Sequence, residues 1–230
     1  MGIQERKERE KEQRREEIVR AATVVFFEKG LQSATMEEIA DAAELSKGTL
    51  YLYFKSKEDL YLAVTGVGFD LLNDMFKSMI DASPSTLEAL ERLGDTYYEF
   101  FTKHRNYFRM FQYFQNPGLH KQVSSEMLEA CESHNQRTWG TVVALLERGQ
   151  QEGLLRSDLT SSEMAVALWS SANALMQQID HQYDEWKTKM GLDLELLLRK
   201  TNSLLLETIL ADTGRSRRTR PKNISTAHTQ

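Results

Sequence analysis

Residues 35–57 read TMEEIADAAELSKGTLYLYFKSK, and two helix starts are written into them. Thr35 followed by Glu38 is a capping box: the hydroxyl caps the first turn while the carboxylate reaches back to the Thr35 amide. Ser46 is a second cap, opening a helix over 47–54. Between them stand only Glu44, Leu45 and Ser46, the spacing of a helix-turn-helix. Apolar residues fall where these two helices would touch each other and the helix before them: Ile39, Ala40, Ala43, Leu45, Leu50 and Phe54. The alanines permit a close crossing. The opposite face of the second helix carries Lys47, Gly48, Thr49, Tyr51 and Tyr53, an unusual set for a surface that meets only water. It suits a major groove. Tyrosine and threonine pack on thymine methyls or donate to base edges, and Lys47 reaches guanine acceptors. Gly48 lets backbone approach DNA closely. Thr35 caps a helix end that faces phosphate, with Lys55 and Lys57 adding point charges beside it.

Outward from this segment the chain reads as helix almost throughout. A helix over 4–29 opens with a solvated charge ladder, Glu5 with Arg9 and Glu10 with Arg14, and gains an apolar stripe from Ile18 through Ala22, Val25 and Phe26. Gly30 is expected to end it as a left-handed cap. A long helix follows over 57–82, then five more over 85–104, 106–115, 119–152, 160–186 and 192–211, with Pro117-Gly118, Gly153 and Gly191 at breaks. The expected fold is all-α with nine helices. Three segments are expected: a DNA-reading part over 1–60, a ligand-binding and dimerisation part over 61–211, and a basic, disordered tail over 212–230.

Composition agrees. Three prolines and 12 glycines in 230 residues are too few for the turns of a sandwich or barrel. No apolar run approaches the ~18 residues of a spanning helix. The charged start, MGIQERKEREKEQRREE, is unlike a signal peptide, so the expected location is cytoplasmic and nucleoid-associated, without membrane. Cys131 is the single cysteine, and His104, His120, His134, His181 and His228 are scattered, so no metal or other cofactor is expected. Residues 1–60 carry 11 Lys/Arg against 13 Asp/Glu, 61–211 carry 13 against 20, and 212–230 carry 5 against 1. Bulk charge therefore gives no argument for a nucleic-acid partner, and the helix-turn-helix pattern must carry it alone.

That pattern goes further than spacing. Thr35, Ile39-Ala40, Ala43, Leu45 through Tyr51, Tyr53-Phe54-Lys55 and Lys57-Glu58 with Leu60 resemble the N-terminal signature of the tetracycline-repressor (TetR) family, over about Ile18 to Val64. The resemblance implies a homodimeric, ligand-responsive transcriptional regulator, a repressor, released from double-stranded operator DNA by a small molecule. It also implies DNA contacts at Thr35, Lys47, Gly48, Thr49, Tyr51, Tyr53 and Lys57. At Leu52 the chain departs from the family, which often has histidine, tryptophan or tyrosine there. With no arginine in the recognition helix, an AT-tolerant, salt-dependent operator is expected. A two-fold dimer presents its readers about 34–36 Å apart or a multiple of that, so the operator should be palindromic.

The C-terminal half supplies the expected sensor. Stripes at helical spacing bring forward Tyr97, Phe101, Phe108, Phe111, Met127, Cys131, His134, Trp169, Asn173 and Met176 as candidate contacts for a mostly apolar or aromatic effector, with His134 the foremost polar handle. The leucine-rich helix over 192–211 is expected to face a partner as well as its own core; in the family the last two long helices of each subunit form a four-helix bundle. Gly66 and Gly68 are expected to be a soft point in the helix joining reader to sensor, with alanine at both raising stability. The alternative within the same fold is an architectural or division-control protein without an effector. No nucleophile–base pair, carboxylate pair or phosphate loop points to an enzyme.

Overall fold

The computed structural model describes residues 2–212 and Arg215, so the expectation for the basic tail lies almost wholly outside the described residues. Among them are ten helices and no strand: α1 (Ile3–Ser33), α2 (Met36–Ala42), α3 (Lys47–Tyr51), α4 (Lys57–Asp81), α5 (Thr86–Lys103), α6 (Arg105–Phe114), α7 (Pro117–His120), α8 (Ser125–Gln151), α9 (Ser161–Met190) and α10 (Leu194–Ile209). None is long and apolar enough to cross a membrane.

The tenth helix comes from the segment read as one helix over 119–152. Asn116 accepts from the Gly118 amide and starts a short turn with Pro117 at its first position, where a missing N–H costs nothing. The chain then breaks, and Ser124 opens α8 by accepting from Met127. Gly30 does take a positive φ (71°), but its ψ of 170° is far from a left-handed helical cap. One more turn, Leu31–Ser33, therefore follows it. α3 is shorter than expected, ending at Tyr51, while Leu52 to Phe54 leave through turns bonded back to Thr49 and Leu50.

The chain forms two compact units, one of residues 1–74 and 100–138, the other of 75–99 and 139 onward. In the first, Ile18, Ala22 and Phe26 of α1 are buried with Ile39 and Ala40 of α2, Leu50 of α3, and Leu60, Leu62 and Val64 of α4. Each such large side chain contributes about 1.5–3 kcal/mol by leaving water. Phe69 of α4 stacks on Phe111 of α6 at 4.1 Å, and Phe111 stacks in turn on Phe100 at 5.4 Å.

The two α4 glycines sit in this packing and correct the expected soft point. A Cβ on Gly68 would lie 2.6 Å from Tyr107 Cδ1, and one on Gly66 3.2 Å from the His134 ring. They are close-approach positions. Alanine at 68 displaces an aromatic ring, so the expected gain in stability from replacing both glycines does not hold.

In the second unit α10 packs along α9, burying Leu194, Leu198, Leu206 and Ile209 beside Met164, Ala172, Met176 and Ile179. Asp193 caps α10 by accepting from Leu196. Ala211 donates to the Leu154 carbonyl at 2.8 Å, tying down the end of α10.

Candidate nucleic-acid interface

Both expected caps form. Thr35 Oγ1 accepts from the Glu38 amide at 3.2 Å, and a Glu38 carboxylate oxygen accepts from the Thr35 amide at 3.1 Å. Glu38 also binds Lys29 at 2.7 Å, and that bond, with the Thr35 amide, holds its carboxyl below the usual range. Ser46 Oγ accepts from the Thr49 amide at 3.0 Å and lies 2.8 Å from the Thr49 hydroxyl. Glu44, at φ 55°, turns the chain between the two helices. Leu50 and Phe54 are buried beneath, so α3 is pinned from inside and its outer face is set.

On that face Lys47 and Gly48 are exposed, Tyr51 is 47% exposed and Leu52 80%, while Thr49 and Tyr53 are half-buried. Lys47 stands 3.8 Å from Glu37, a loose pair between exposed groups that a stronger anion displaces readily. Lys55 is likewise loosely placed, 3.9 Å from Glu126. Lys57 differs from the expected point charge: its ammonium donates to the Ala34 carbonyl at 2.9 Å and to Gln32 at 3.4 Å, closing the end of α1. An ammonium has three donors, so one N–H is left beyond those two bonds.

Gly48 has no internal reason to be glycine. A Cβ there would meet only Ser46 Oγ, at 3.8 Å. Gly48→Ala should therefore raise thermal stability, by up to about 1 kcal/mol from helix propensity, while weakening binding to operator DNA. Melting curves and mobility shifts on one preparation test this; binding that rises along with stability would remove the close-approach role.

Two supporting residues, Arg15 and Asp59, escape the sequence reading. Arg15 lays its guanidinium 4.4 Å over the Phe54 ring and reaches the Tyr53 carbonyl at 3.5 Å. The signal was available, because Arg15 lies one turn before Ile18 on the apolar side of α1. Asp59, buried in the first turn of α4, accepts from the Ser124 amide at 2.7 Å and ties α4 to the start of α8. No spacing in the sequence announces that long-range bond. Leu52 is the most exposed large apolar residue of the region, at the position where the family pattern is broken.

The expected effector residues divide between the units. In the first, Phe101 meets Phe108 edge-on at 4.9 Å, Phe111 lies in the stack with Phe69 and Phe100, and Met127 and Cys131 are buried. Burial, with Glu132 adding, pushes the Cys131 thiol up to about 12, so it stays protonated and unreactive. His134 corrects its reading as a handle in an apolar wall: it is partly exposed and its Nδ1 lies 2.7 Å from Asp70, which also accepts from Arg137 at 2.9 Å. Partial burial pushes the Asp70 carboxyl up, but these two hydrogen bonds outweigh it and hold it low. In the second unit Tyr97 Oη donates to Asn173 Oδ1 at 3.3 Å, both residues buried, and desolvation pushes the Tyr97 phenol upward. Met176 is buried there, and Trp169 meets Trp139 edge-on at 5.6 Å. A polar groove of about 400 Å³ between the end of α8 and the start of α9, lined by Glu147, Gln150 and Asp158 among others, includes none of these candidates.

Two capped short helices with an outward face of lysine, glycine and tyrosine define a helix-turn-helix DNA-binding regulator. Residues 18–64 match the profile described as bacterial regulatory proteins, tetR family, and this match, with the relatives and solved structures below, supports a TetR-family transcriptional regulator. The transcriptional repressor KstR2 of Mycobacterium tuberculosis H37Rv is 29% identical over 146 residues, covering 64% of this chain and 71% of that one. The fold matches Bacillus subtilis FadR, solved with stearoyl-CoA (TM-score 0.64, 18% identity, 84% of this chain and 98% of that one). It also matches Thermus thermophilus FadR, a repressor solved with lauroyl-CoA (TM-score 0.61, 24% identity, 86% and 95%).

Proposed function

We propose that this protein is a homodimeric repressor that reads a palindromic operator through α3 and leaves it when an acyl-CoA thioester binds. The observation that carries the reading is the outward face of α3, where Lys47, Gly48, Tyr51 and Leu52 stand exposed on a helix capped at Ser46 and anchored by Leu50. Thr35, Thr49, Tyr53, Lys55 and Lys57 flank that face as phosphate or groove contacts. Residues 1–60 serve as the reader and 61–211 as sensor and dimer.

The last two helices carry the dimer. Val166 of α9 and Leu196, Leu197 and Leu204 of α10 are large apolar side chains left exposed. Leu197 and Leu204 are seven residues apart, which sets them on one side of α10. The acyl-CoA class is supported by the ligands of two solved structures of the same fold. An effector acts only through unequal affinity for the DNA-bound and released forms.

The test is a footprint on the DNA upstream of the protein's own coding region, repeated with lauroyl-CoA and with free coenzyme A. Protection should be lost with the thioester only. Tyr51→Ala should cost about 1–3 kcal/mol of operator affinity. A footprint indifferent to acyl-CoA removes the effector class, and a Tyr51→Ala variant with unchanged affinity removes α3 as the reader.

A further inference from the structure

The first half of α1 is a helix with no visible task. Every side chain from Gln4 to Arg14 is exposed, and none meets the apolar core that Ile18 begins. Its charges balance in number but not in placement. Arg6 pairs with Glu10 at 2.8 Å and Arg14 with Glu17 at 2.7 Å, whereas Lys7 and Lys11 make no ion pair among the described residues. Lys7, Lys11, Arg15 and Ile18 follow one another at intervals of four, four and three, so they share one face of the helix. Glu8, Glu12 and Glu16 lie to one side of that face, Glu8 nearest to it, and Glu10 and Glu17 to the other.

The face leads to the reader. Arg15 holds the Tyr53 carbonyl and covers Phe54, immediately beyond the C-terminal end of α3. At about 1.5 Å per residue, Lys11 and Lys7 stand roughly 6 and 12 Å farther along the axis from Arg15. An unpaired lysine stripe thus continues from the edge of the candidate DNA surface.

We infer that α1 is a second DNA-contacting element, whose Lys7 and Lys11 lie on the phosphate backbone beside the groove that α3 enters. The inference rests on the regulator reading above. The ammonium groups act as point charges, which fix the protein on the duplex without reading its sequence. Lys7 and Lys11 therefore raise affinity for any duplex equally and make it more sensitive to salt.

The experiment compares the full-length protein with Lys7→Ala/Lys11→Ala on the footprinted operator and on a random-sequence DNA duplex, across a salt series. Each lost phosphate contact removes about 0.9 from the slope of log affinity against log salt. In the two-fold dimer the double variant loses four such contacts, so it should bind with a slope shallower by about 3.6, and its affinity for the two duplexes should fall by the same factor. Lys7→Arg/Lys11→Arg should restore the slope. Arg6→Ala, which removes a paired charge on another face, should leave it unchanged. A double variant with the parent's slope overturns the inference while leaving the α3 reading intact, because operator preference over the random duplex persists. A fall confined to the operator also overturns it, since that would be base recognition. A parent protein that binds neither duplex overturns both readings.

Discussion

Replacing Leu197 and Leu204 with glutamate should leave a folded chain that sediments with the mass of one subunit, 26.5 kDa, and no longer holds its operator. Neither residue belongs to the chain's own core: Leu204 is 62% exposed and Leu197 37%, while Leu194, Leu198, Leu206 and Ile209 do the burying on α10. Helix content should therefore be unchanged. In a two-fold interface each substitution appears twice, and unpaired carboxylates facing one another in a desolvated apolar seam cost far more than the lost leucine contacts. A single subunit keeps one reader and falls toward non-specific affinity, a loss of about 10³-fold or more. Sedimentation equilibrium with mobility shifts reads both halves of the prediction; a persistent dimer would move the interface off α9 and α10.

Phe54→Ala should be the most damaging single change in the reader, costing about 3–5 kcal/mol of stability. Phe54 is 1% exposed, so truncation opens a cavity below α3. It also strips the ring from under Arg15, removing one of the two contacts by which that residue links α1 to the turn after α3. Two positions earlier, Leu52→Ala should change stability by no more than about 0.5 kcal/mol, since Leu52 is 80% exposed. Denaturant unfolding of the two variants supplies the contrast. A mild Phe54→Ala would mean that Leu50 and Arg15 alone position α3.

The reader was legible in the sequence because its determinants are local. Thr35 with Glu38 and Ser46 with Thr49 are contacts three residues apart, and the α2–turn–α3 unit forms where they put it. What escaped were bonds across many residues. Asp59 to Ser124 spans 65 positions, and Lys57 closes on Ala34 over 23, giving an expected phosphate ligand a second task as a clamp on backbone. The sensor fared less well for the same reason. His134 sits at apolar spacing along α8, and only the packing of Gly66 against its ring and of Asp70 against its nitrogen assigns it to a polar contact. Proline behaves differently: the sequence marks Pro117 as a break, and it is the first residue of a separate turn.

The empty space above Gly48, together with the outward Lys47, Tyr51 and Leu52, has a consequence for how this lineage can diversify. Those positions carry almost none of the folding energy, which is held by Leu50, Phe54 and the two caps beneath them. Their vocabulary can be rewritten without rebuilding the scaffold, so a duplicated gene could acquire new target sites without losing thermal robustness.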